Sequence, residues 1–182
     1  MSMMDDIAKV LVSKEELETI VKRLGEQITK DYKNKNLLLV GVLKGSIVFM
    51  SDLMRAINAE CRLDFLGLSS YANSTRSGRV RLLKDLTIDI KDYDVLIVED
   101  ILDSGKTLYK LKEMLLLREP KSFKICTLFD KPERREVELQ ADYTGIKIPN
   151  EFIVGYGLDF AENYRNLPFV GVLKPELYLK GE

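Results

Sequence analysis

Histidine is absent from this chain, and its 182 residues include only two cysteines and five prolines. The two thiols, Cys61 and Cys126, sit in apolar runs (AECRLDF and FKICTLF) with no CxxC spacing. Without histidine or paired cysteines there is no ligand set for zinc, and the thiols are expected buried and reduced. An excess of charge of either sign is also missing, since 28 Lys and Arg face 29 Asp and Glu. No global positive field then draws the chain to nucleic acid or to an anionic membrane, so any bound anion must be held by a local site. No apolar run approaches the roughly 20 residues of a membrane-spanning helix. The first residues, MSMMDDIAKV, lack a basic stretch followed by an apolar one. The expectation is a cytoplasmic protein that binds neither nucleic acid nor membrane.

What is present points to one folded unit. A hydrophobic share of 46% beside 31% charged residues is ordinary for a globular chain, and this length buries a substantial core in a single domain spanning 1–182. Ser13 opens SKEE, a capping box with Glu16, and Leu17, Ile20, Val21, Leu24 and Ile28 follow at helical spacing. That pattern predicts an amphipathic helix over 13–30. NLLLVGVL at 36–43 is continuously apolar, as a strand covered on both faces must be. Helical spacing resumes at Ile47 and runs to Ile57, with further buried-type strands at 63–68, 94–100 and 123–129 and a helix at 108–118. Strands of this kind alternating with helices predict an α/β fold, a mostly parallel twisted sheet flanked by helices. SSYANSTRSGR at 69–79 is small and polar, a long loop and candidate lid. The last forty residues show short strands, Gly and Pro with no clear helix, and predict a small hood formed mainly by about 145–182, to which 1–12 is a further candidate contributor.

The chemistry concentrates in VLIVEDILDSGKTL, residues 95–108. A buried strand ends on Glu99 and Asp100, and DSGKT follows at the end of the sheet where ligands bind in open α/β folds. Amides around Gly105, at a helix start, can cradle a phosphate, with the Ser104 and Thr107 hydroxyls as further donors. SGKT invites comparison with the nucleotide-binding pattern GxxxxGK[ST], but the first glycine of that pattern falls on Asp100. The two carboxylates make sense beside a phosphate if they face a sugar diol, or hold Mg²⁺ through water. A ribose 5-phosphate matches that layout. Each element alone also has a plainer meaning: acids often end a strand in solvent, Asp103 can simply cap a helix, and Lys44 and Lys131 can be solvated.

Taken together, the acid pair and the DxGxT-like loop resemble the signature of the type I phosphoribosyltransferases, and most of the chain is similar to their hypoxanthine-guanine branch. The resemblance implies a parallel α/β core with a hood, a Mg²⁺ cofactor, and transfer of ribose 5-phosphate from phosphoribosyl pyrophosphate to hypoxanthine or guanine, giving IMP or GMP plus pyrophosphate. It implies that Asp103, Ser104, Gly105, Lys106 and Thr107 take the 5-phosphate. It makes Asp103 the general acid/base for the purine proton, and Glu99 and Asp100 the ribose- and metal-linked acids. VLKGS would place Lys44 and Gly45 at pyrophosphate, with Leu43 and Lys44 at a strained, often cis, peptide whose form the sequence leaves open, and with Arg135 and Arg165 as further pyrophosphate ligands. Ser70 and Tyr71 would belong to the closing loop. DKPERR assigns Lys131 to the purine's exocyclic oxygen, and EFIVGYGLDF assigns Phe152 to stacking, Ile153 to the base edge, and Asp159 to the purine and metal side. Glu151 stands where some members carry lysine, and Ile153 where valine is frequent, which leaves base preference open, xanthine included. A homodimer or homotetramer is implied by the resemblance alone. The competing expectation is a regulator of the same fold that senses nucleotides, for which a basic surface or a lost catalytic acid is the sign.

Overall fold

The computed structural model describes residues 2–70 and 80–179. Along the chain, β1 (Ile7–Val12) leads to α1 (Lys14–Asp31), β2 (Leu37–Leu43), α2 (Ile47–Ala56), β3 (Cys61–Ser70) and β4 (Val80–Lys84). Then follow β5 (Asp94–Leu102), α3 (Lys106–Leu116), β6 (Ser122–Asp130), β7 (Tyr143–Lys147), β8 (Ile153–Val154), β9 (Val170–Leu173) and the one-turn α4 (Pro175–Tyr178). The six-stranded sheet has the order β4-β3-β2-β5-β6-β7. Its strands are parallel except for the antiparallel pair β3 and β4.

Side-chain alternation explains why β2 and β5 are apolar throughout. Leu37, Leu39, Leu96 and Val98 point into one core with α1 and α2. Leu38, Val40, Val95 and Ile97 point into the other, with Leu108, Leu111 and Leu115 of α3. A strand with helices on both sides has no solvent face for polar residues. The α1 stripe behaves as its spacing requires, with Leu17, Val21, Leu24 and Ile28 all buried. Its capping box is complete, Glu16 N–H donating to Ser13 Oγ at 3.2 Å and Ser13 N–H to Glu16 Oε2 at 2.7 Å.

From β2 the chain builds outward through β3 to β4, then crosses back to β5 on the other side of β2. The reversal opens a crevice beyond the carboxyl ends of β2 and β5. A second, antiparallel sheet of order β1-β9-β8 is drawn from both ends of the chain. Tyr156, just after β8, fastens it to α2 by donating its hydroxyl to Asp52 Oδ2 at 2.5 Å.

Several sequence boundaries move. Residues 145–147, expected in the hood, pair with β6 in the main sheet. The chain's last segment does contain a helix, the short α4, which its Pro at the first turn starts. α3 begins at Lys106 rather than 108, capped by Gly105 and not by Asp103.

Candidate functional site

Glu99 and Asp100 end the buried run of β5 at the switch point. Asp100 is 8% exposed and accepts from the Ile101 amide at 2.7 Å. Burial is the main force on both acids. It pushes Glu99 well above the ordinary carboxylate range, with Asp100's negative charge adding to the shift. Asp100 is pushed up to about 6, mainly by burial and further by Asp159, against the opposing pull of the amides and Arg165. Glu99 Oε2 is buried without a hydrogen-bond partner among the described residues. An orphaned carboxylate oxygen beside a second buried acid fits an oxygen-binding divalent cation or a sugar diol. Among the described residues no group of three or more His, Cys, Asp or Glu surrounds a metal position. Mg²⁺ is commonly held by one or two carboxylates together with substrate oxygens, so the pair suffices. Gly45 packs directly on this acid, because a Cβ there would fall on Asp100 Oδ2.

The loop after β5 turns on Gly105, whose φ of 81° is left-handed and favours glycine. It is the N-cap of α3, which directs the helix start at the crevice. Lys106 reaches away to pair with Glu136, and Thr107 is exposed. The Asp103 carboxylate receives Arg134 Nε at 2.8 Å.

On the β2 side, the Leu43–Lys44 peptide is cis. The Lys44 ammonium meets Glu162 Oε2 at 2.7 Å. Arg165 reaches Asp159 Oδ1 at 2.8 Å, Glu162 Oε1 at 3.4 Å and the Gly157 carbonyl at 2.7 Å. Asp159 Oδ2 accepts the Glu162 amide at 2.9 Å. Lys44, Glu162, Arg165 and Asp159 therefore form one network at the mouth of the crevice. Arg135 is not in it: its guanidinium is turned inward onto Asp130 and the carbonyls of Leu102, Asp103 and Leu139.

At the purine end, Lys131 is 7% exposed and donates Nζ to the Glu151 carbonyl at 2.7 Å. Burial lowers its pKa from the usual lysine value, Arg134 adds to the lowering, and Asp103 and Glu151 oppose it. Phe152 offers partly exposed ring surface, stacked on Tyr178 at 4.7 Å and edge-on to Phe160 at 5.6 Å. Ile153 is buried in β8 opposite Val172. Ser70 closes β3, its backbone paired with Val80, while Tyr71 lies outside the described residues. Glu162, Arg134 and Tyr178 join this constellation without having been marked by the sequence, because only long-range contacts single them out.

An acid pair and an amide-lined turn at the switch point of a parallel sheet, beside a second small sheet, define the type I phosphoribosyltransferase architecture. The chain belongs to the phosphoribosyl transferase family, whose domain model matches residues 9–161. More particularly, it is 54% identical to the hypoxanthine-guanine phosphoribosyltransferase of Streptococcus pyogenes serotype M3, over 96% of this chain and 98% of that protein. It is similar also to a crystal structure of a hypoxanthine phosphoribosyltransferase from Staphylococcus aureus, with a TM-score of 0.93 and 50% identity, covering 97% of this chain and 96% of that one. The bifunctional TilS/HprT protein of Listeria monocytogenes serotype 4b is 51% identical over 97% of this chain, which spans 28% of that protein's length.

Proposed function

We propose that the protein is a purine salvage enzyme transferring ribose 5-phosphate from phosphoribosyl pyrophosphate to hypoxanthine or guanine, with IMP or GMP and pyrophosphate as products. The observation that carries the reading is the run of acids Glu99 and Asp100 at the end of β5 into the Gly105 turn, with the buried Lys131 held by the Glu151 carbonyl next to Phe152 in sequence. The similarity to hypoxanthine-guanine phosphoribosyltransferases supports it.

In this reading the amides of 103–107 hold the 5-phosphate and Glu99 and Asp100 accept from the ribose diol. Lys44 and Arg165 meet pyrophosphate. Phe152 stacks on the purine while Lys131 donates to its 6-oxygen, a match that a 6-amino group cannot make. The bond from C1 of the ribose to pyrophosphate breaks, a bond from C1 to a purine ring nitrogen forms, and the proton of that nitrogen passes to Asp103. Glu99 and Asp100 would hold Mg²⁺ together with substrate oxygens. When bound, the ion supplies positive charge to the departing pyrophosphate. Ser70 and Tyr71 would belong to the loop that excludes water.

Residues 1–182 act as one domain, the three-stranded sheet serving as its hood. Among the described residues no helix is long and apolar enough to cross a membrane, in keeping with a cytoplasmic setting, and we place the protein there as a homodimer or homotetramer. The test is to incubate it with phosphoribosyl pyrophosphate and Mg²⁺ and offer hypoxanthine, guanine, xanthine, adenine and uracil separately. IMP and GMP are the expected products, and no nucleotide from any base would overturn the reading.

A further inference from the structure

Three successive carbonyls of the phosphate loop are held from behind. Leu102 O accepts from the Lys131 amide at 3.0 Å and from Arg135 Nη1 at 3.1 Å. Asp103 O accepts from the same Nη1. Ser104 O accepts from the Glu136 amide at 3.0 Å. In a trans peptide the C=O and the following N–H point in opposite directions. Holding these three carbonyls on the inner side therefore turns the amides of Asp103, Ser104 and Gly105 outward together, towards the crevice. Among the described residues, no protein acceptor takes those three amides. They form a concave row of donors, the arrangement that binds an anion.

Among the described residues, Arg135 is the one side chain in that backing. Its side chain is 16% exposed, with Nη2 on Asp130 Oδ1 and Nε on Leu139 O at 3.0 Å. Its stem packs beneath the left-handed turn, since a Cβ on Gly105 would lie 3.2 Å from Arg135 Cδ. With each guanidinium nitrogen already serving a protein acceptor, little of the group is left for a ligand.

We propose that Arg135 is a positioning residue for the 5-phosphate cradle and not a pyrophosphate ligand: it fixes the peptide planes of Leu102–Asp103 and Asp103–Ser104 so that their amides face the phosphate before it arrives. The inference rests on the proposed 5-phosphate role of this loop. Preorganised donors lose no orientational freedom on binding, so loosening them weakens the phosphorylated ligand selectively.

The experiment compares Arg135→Lys with wild type by calorimetric titration with IMP, with inosine, and with pyrophosphate plus Mg²⁺. Lysine keeps the charge but cannot serve four divergent acceptors with a planar fork. The expected result is a loss of about tenfold or more in IMP affinity, the scale of one or two charge-assisted hydrogen bonds, with inosine and pyrophosphate affinities nearly unchanged. A uniform loss for all three ligands marks a merely structural role and overturns the proposal, as does a loss confined to pyrophosphate. Circular dichroism checks the fold. If Arg135→Lys does not fold, Asp130→Ala removes the acceptor at the far end of the same guanidinium and must give the same ligand order, retained IMP binding being contrary. Equal wild-type affinity for IMP and inosine would instead remove the phosphate-site reading itself.

Discussion

In the proposed reaction Lys131 would carry the base selectivity, and its surroundings explain how. A nearly buried ammonium keeps its charge only with acceptors nearby, and the Glu151 carbonyl provides one. Lys131→Ala should lower kcat/KM for hypoxanthine by about 100-fold, the scale of one hydrogen bond from a charged group, and leave the adenine rate unchanged; unaltered discrimination between the two bases would refute the assignment. Glu162 acts in the opposite sense. Its carboxylate lies on both Lys44 and Arg165, and the Lys44 hydrogen bond holds its pKa below the usual value. In the proposed reaction it would compete with pyrophosphate for the same cations. Glu162→Gln should tighten pyrophosphate binding by about threefold, the scale of an exposed ion pair, and calorimetry showing weaker binding would contradict this. Lys131 was legible in DKPERR because its neighbours form a motif. Glu162 and the inward turn of Arg135 were not, since their partners lie in distant segments.

Among the elements, those that bury a complete face were the easiest to find. β2, β5 and β6 announced themselves as apolar runs, and α1 by its capping box and stripe. β1, β7, β8 and β9 are short and draw their stability from pairing with remote strands, so local pattern left β1 unmarked and showed the other three only as short strands without bounds or partners. The β3–β4 pair shows how such an element is held. Asp64, 5% exposed, is pushed up by burial, yet the amides of Phe65 and Thr87, the Thr87 hydroxyl and the Lys84 ammonium outweigh this and hold it down to about 2. A depressed carboxylate contributes stability above its unfolded value of 3.8 that is lost as pH falls towards about 2. Asp64→Asn should therefore destabilise the fold at neutral pH by roughly 1–3 kcal/mol, the cost of poorly satisfied buried donors. It should also flatten the decline in stability between about pH 4 and pH 2. Chemical denaturation across that range measures both, and an unchanged profile would dismiss Asp64 as the anchor of this edge.

For the whole molecule, the topology sets the division of labour. The switch between β2 and β5 brings the Lys44–Gly45 loop against Asp100, while β6 delivers Lys131 and the Arg135 backing from the next strand out. The parallel α/β class and the site's position at strand ends followed from alternating buried strands and helices. The second sheet did not, because it joins residues near opposite ends of the chain that no local signal relates. Whether amides take the phosphate while acids take the sugar is decided by a crystal structure with IMP bound. The 5-phosphate is expected against the amides of 103–107, the ribose diol on Glu99 and Asp100, and the purine on Phe152 with its oxygen at Lys131. A phosphate seated instead on Lys44 and Arg165, with the base away from Phe152, would contradict this placement.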